Sequence, residues 1–165
     1  CYMGGVPRST YMPYPFQILQ NEHDVVIYYQ FATAFRRIFV DGKEEAPLDS
    51  WMGWSNGHWD GNTFVVEVTG LNGLTWLDRA GNYASGNAKI TERYTPLGPN
   101  HMQYEATIDD ATVFSRPWTI RMPLYRLVDE NLRVMEFKCE PYAEEKIYGH
   151  LGKPGTEPPA GNPSR

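Results

Sequence analysis

The sequence predicts an all-β domain, an antiparallel meander of eight or nine strands closed, or nearly closed, into a barrel. Three observations carry that expectation. Apolar and polar residues alternate with period two along most of the chain, as in a half-buried strand. Turn sequences punctuate the runs: Asp41-Gly42, Gly61-Asn62, Gly98-Pro99-Asn100 and Asp129-Glu130-Asn131. No window holds a convincing amphipathic helix, so helical crossovers are absent, and closing the meander removes its exposed edges.

The expected strands are 15–21, 24–32, 34–41, 57–60, 63–71, 88–96, 101–109, 118–127 and 132–140. In 63–71, Phe64, Val66 and Val68 alternate with Val65, Glu67 and Thr69. If Ile90 faces inward on 88–96, so do Glu92 and Tyr94. On 101–109 the inward set is then Met102, Tyr104, Ala106 and Ile108, with Glu105 outside. Asp60-Gly61-Asn62-Thr63 reads as a tight turn in which Asp60 accepts hydrogen bonds from the turn backbone. Trp59 alternates with His58 and is the better choice for the core. Short helical turns are expected only around 72–79 and 110–115.

Two segments lack a strand pattern. Residues 72–87 form a long Gly/Asn loop containing Trp76 and Tyr83. It reads either as a lid plugging one barrel end or as a functional loop at the barrel mouth. Residues 152–165 hold four prolines and three glycines, the composition of an extended arm. The expected division is therefore a single barrel domain over 1–151 and an arm over 152–165. Such an arm calls for a surface, its own domain or a neighbouring chain, which suggests a protein partner or a homo-oligomer.

The net charge of −5 and the lack of any Lys/Arg-rich run argue against nucleic acid and against an anionic membrane surface. No apolar run reaches the ~18–20 residues of a membrane helix. Eleven tyrosines and five tryptophans suit both a barrel interior and the walls of a ligand site. The chain has two cysteines, Cys1 and Cys139. They read as a disulfide tying the N-terminus to the last strand, as two unrelated thiols, or, for Cys1, as a lipidated N-terminus. A disulfide implies an oxidising compartment, and a loop this long would be worth about 4–5 kcal/mol in the chain-entropy model.

No phosphate loop, dinucleotide fingerprint, zinc-helix motif, nucleophile elbow or C-x-x-C is present, so no cofactor is implied. His23, His58, His101 and His150 lie far apart in sequence and read as surface residues rather than metal ligands. The best polar set lies mid-strand. Alternation forces one of Arg36 and Arg37 inward, and a buried arginine needs a buried carboxylate. An Arg–Glu–Tyr cluster in an aromatic cavity would bind a carboxylate or apolar ligand, or shift a proton if the Glu pKa is raised. The ligand-binding candidates are Arg37, Glu67, Trp76, Asp78, Glu92, Tyr94, Tyr104 and Trp118. Asp110 reads as a cap for the turn at 111–115, with Arg116 as its partner.

The chain also resembles a large family of secreted or periplasmic bacterial proteins of unassigned function. The matching segments are Cys1 with Gly4-Gly5-Val6-Pro7-Arg8, Tyr14 to Ile18, Phe35 to Ile38 with Asp41-Gly42, Gly57 to Glu67, Thr75 to Asp78, Thr91 to Tyr94, Thr107 to Asp110, Arg116 to Thr119, and Cys139-Glu140. The resemblance implies a lipocalin- or calycin-like barrel and a cysteine pair, and it implies no reaction. Many relatives carry histidines where this chain has Thr33, Trp54 and the stretch Asn82, Tyr83 and Ala84, which lowers the expectation of family-type catalysis. The functional expectation is an extracytoplasmic barrel that binds a small ligand or acts as an accessory subunit. The alternative is a lyase, isomerase or hydrolase using a buried carboxylate with Tyr and Arg.

Overall fold

The computed structural model describes residues 3–137 of the chain. The chain is almost all β. Eight strands follow one another in a single sheet: β1 (Phe16–Gln20), β2 (Asp24–Tyr29), β3 (Phe35–Val40), β4 (Trp54–Asp60), β5 (Thr63–Thr69), β6 (Lys89–Gly98), β7 (His101–Asp109) and β8 (Trp118–Tyr125). The sheet curls into a half-barrel with β1 and β8 as open edges, so the expected closure is corrected. A ninth strand was expected over 132–140. Residues 132–137 form no strand, and 138–140 lie outside the described residues, as do Cys1, Cys139, His150 and the arm 152–165.

The meander has one break. β3 and β4 pair in parallel, Ile38 with Ser55 and Val40 with Gly57, where an antiparallel neighbour was expected. A parallel neighbour needs a crossover of about a dozen residues. The link 41–53 supplies it, carrying the chain back before β4 begins. That strand starts at Trp54, three residues earlier than the turn signals suggest. The helical turns also fall elsewhere. One α-turn, α1 (Arg8–Tyr11), and one 3-10 turn, Phe31–Thr33, are formed. Residues 72–79 are irregular and 111–113 form only a turn.

Pleat alternation sets the core. Val25, Ile27 and Tyr29 of β2, Arg36 and Ile38 of β3, Val66 and Val68 of β5, Ile90, Glu92 and Tyr94 of β6, and Tyr104, Ala106 and Ile108 of β7 are buried on the concave face. The expected inward sets on β6 and β7 are therefore the observed ones, apart from the half-buried Met102. Val6 joins the same core from the N-terminal segment, Leu71 from just after β5, and Leu77 and Ala84 from the 72–87 loop. That loop is tightly held. Tyr11 Oη donates to the Leu77 carbonyl at 2.6 Å, and Asp110 accepts from Ser85 N at 2.6 Å and Ser85 Oγ at 3.0 Å.

Candidate functional site

The concave face carries a buried polar network at the middle of the sheet. Glu92 is its centre and is 0% exposed. Arg36 Nη2 donates to Glu92 Oε2 at 2.5 Å. Tyr104 Oη donates to Glu92 Oε1 at 2.6 Å, and Tyr94 Oη to the same oxygen at 3.1 Å. Arg36 Nε donates to Ser55 Oγ at 2.9 Å. Tyr29 lies beside Arg36 and shares a 3.1 Å hydrogen bond with Thr10 of α1. One carboxylate and one guanidinium thus tie β3, β4, β6 and β7 together. The two sequence neighbours on this face, Glu92 and Tyr94, are placed there by the two-residue period of β6.

The electrostatics keep every donor in its donating form. Burial pushes the Tyr94 and Tyr104 hydroxyls well above the ordinary tyrosine range, and the Glu92 charge pushes them further. Burial raises Tyr29 as well, with the Arg36 charge opposing it and the Glu92 charge adding to it. Burial works against the Arg36 charge, but Glu92, with Tyr29 and Tyr94, outweighs it and holds the guanidinium well above its usual value. The carboxylate has three donors on its two oxygens. Chemically this is a charge-compensated clamp, with no lone pair left facing solvent.

Two cavities adjoin the network. Upstream of the Ile38–Ser55 pair, β3 and the chain before β4 are not paired, and a cleft of about 390 Å³ opens between them. Its walls include Met3, Phe35, Phe39, Trp51, Met52 and Trp54, with Arg36, Arg37 and Ser55 also lining it. Phe39 and Trp54 stack at 4.6 Å between ring centres. The second cavity, about 120 Å³, lies on the concave face at the opposite mouth, among Ile18, Val25, Trp59, Phe64, Tyr94 and Met102. Among the described residues, no group of three or more His, Cys, Asp or Glu is arranged to hold a metal ion.

Of the eight candidates from sequence, Glu92, Tyr94 and Tyr104 come together in the network. Arg37 points outward, donates to both Asp24 oxygens at 2.7 and 3.0 Å, and sits over the Phe39 ring; the inward arginine is Arg36. Glu67 is exposed on β5. Trp76 is half exposed and bridges to Tyr83 across the loop. Asp78 accepts from Ala80 N, Asn82 N and Asn82 Nδ2, so it shapes a turn. Trp118 packs edge-on to Phe114 on the open-edge strand β8. Asp60 takes Arg93 Nη2 at 2.8 Å, where a turn-backbone partner was expected. Asp110 does accept from Thr112 N at 3.0 Å, but its other partner is Ser85 rather than Arg116.

Ser55, Tyr29 and Thr10 were not legible as site residues. Ser55 precedes the segment recognised as strand, so its inward face was hidden. Arg36 was half legible. The tracks Arg36-Ile38-Val40 and Phe35-Arg37-Phe39 are both apolar apart from their arginine, and only the pairing of Arg37 opposite Val26, next to Asp24, separates them.

Compared with protein-family models, with curated proteins and with solved structures, the chain matches none. The class defined by fold and site is therefore structural: an open eight-stranded half-barrel with a buried Arg–Glu–Tyr clamp and a cleft at the parallel β3–β4 pair. Among the described residues, no helix is long and apolar enough to cross a membrane.

Proposed function

We propose that this half-barrel binds a small ligand outside the cytoplasm, with the ligand seated in the cleft between β3 and residues 50–54. The observation that carries the proposal is the cleft itself. Its volume, about 390 Å³, falls in the range of ~300–1,000 Å³ usual for small-molecule sites. Its walls are aromatic and methionine side chains, with a few polar groups, which is the ordinary make-up of such a site. The mouth cavity, about 120 Å³, is smaller than the ~150 Å³ dry cavity that takes up benzene. It suits the tip of a ligand at most.

An enzyme working through Glu92 has less support, because the carboxylate is sealed from solvent and its oxygens are already engaged. The placement outside the cytoplasm rests on the cysteine pair and the family resemblance. A methyl-¹³C-methionine NMR spectrum tests the site, since Met3 and Met52 line the cleft and Met102 lines the mouth cavity. Titration with mixtures of small aromatic and aliphatic compounds is expected to shift the Met3 and Met52 methyls. Methyls that stay in place at millimolar ligand, across all mixtures, would refute the proposal.

A further inference from the structure

Resting on that ligand-binding reading, we propose that the cleft takes a carboxylate carried on a flat apolar body, its oxygens received by Arg36 Nη1 and Trp54 Nε1. Both of these nitrogens are buried and, among the described residues, have no hydrogen-bond partner. Arg36 is 2% exposed. It uses Nε on Ser55 and Nη2 on Glu92, which lie along one edge of the planar guanidinium. Nη1 is left on the other edge. A buried donor without an acceptor is unfavourable, and an arriving oxygen relieves it. Both residues line the same cleft.

Charge selects among acceptors. Among the described residues the lining holds two arginines and no acidic side chain; Glu92 and Asp24, which pair with them, are not part of it. An ammonium ligand would bring donors to donors there, with both arginines already paired to carboxylates. A carboxylate brings two acceptor oxygens to these donors, and its hydrogen bond to the Arg36 N–H is charge-assisted. The body of the ligand is set by the exposed Phe35 ring and by the edges of the Phe39–Trp54 stack. The two N–H groups are covered by neighbouring atoms, so the wall must yield on binding. Met3 and Met52 are the side chains suited to that, being unbranched and adaptable.

The test is a matched series on one ring system: 1-naphthoate, 1-naphthamide and 1-naphthylmethylammonium, titrated calorimetrically into the full chain. Methionine-methyl NMR reports the location of each. Naphthoate is expected to bind at least tenfold tighter than the amide, and the ammonium compound not to bind. Trp54→Phe keeps a ring on Phe39 but removes the N–H, and it should weaken naphthoate several-fold while leaving the amide-to-ammonium order unchanged. Arg36→Lys, which retains a cation against Glu92, should weaken naphthoate further. Should that variant fail to fold, the wild-type series and Trp54→Phe still decide. Equal binding of all three probes at Met52, unaltered by Trp54→Phe, would overturn the carboxylate assignment and leave the cleft as a ligand site. No shift of Met3 or Met52 with any probe would overturn both.

Discussion

Replacing Glu92 by glutamine probes the clamp at its centre. Glutamine keeps the shape and can still accept from Tyr94 and Tyr104 on its oxygen. Its NH₂ then faces Arg36 Nη2, donor against donor, and the arginine keeps its charge with no counter-charge in a site that is 0–2% exposed. Breaking one partner from a buried ion pair costs about 3–5 kcal/mol. At about 2–4 °C per kcal/mol for a chain of this size, the melting temperature should fall by about 6–20 °C. Urea unfolding followed by tryptophan fluorescence should show the same loss as a lower midpoint. The double variant Arg36→Met with Glu92→Leu removes both charges. It should be less destabilised than Glu92→Gln, although it strands the Tyr94 and Tyr104 hydroxyls, and a double-mutant cycle gives the coupling. A Glu92→Gln loss below about 1 kcal/mol would refute the view that an uncompensated charge governs this site.

Four further outcomes are expected. Gly57→Ala places a methyl 2.5 Å from Phe64 Cζ and 2.8 Å from Ile38 Cγ2; overpacking should cost about 1–3 kcal/mol in a thermal melt. Burial alone would raise the Asp110 carboxyl, but the bonds from Ser85 and Thr112 outweigh it and hold it below its usual 3.8. The stability it gives is thus present above that value and lost as pH falls through the lower folded value, so Asp110→Asn should be less stable at neutral pH and lose less between about pH 4 and 2. Tyr11, pushed up to about 12 mainly by burial, contributes stability that is full below pH ~10 and lost as pH rises toward its folded value, so Tyr11→Phe should flatten part of the alkaline unfolding limb. Cys1 and Cys139 are expected to resist alkylation until reductant is added, with a linked peptide in the non-reduced mass map; free thiols at both would remove the main support for a location outside the cytoplasm.

Much of the fold was legible because strand formation is local. Alternation along β5, β6 and β7 marked the faces, and Ile90 as an anchor correctly placed Glu92, Tyr94 and Tyr104 inside. Turn residues marked the hairpins at 61–62 and 98–100. What failed involved distance. A two-residue period says which residues share a face, but not which face is buried when both are apolar, so Arg37 was preferred where Arg36 is the buried one. Nor does it give strand direction across a long link, so the parallel β3–β4 pair went unseen.

The sequence by itself determined an all-β chain, its hairpins, and that Glu92 and Tyr94 share a face with Ile90, because period and turn chemistry act over a few residues. The tertiary structure alone decided that the sheet stays open, that Arg36 meets Glu92 across 56 positions of chain, and that a cleft lies beside them. Those outcomes depend on which strands become neighbours, a choice made by the packing of the whole core and by the return of residues 41–53.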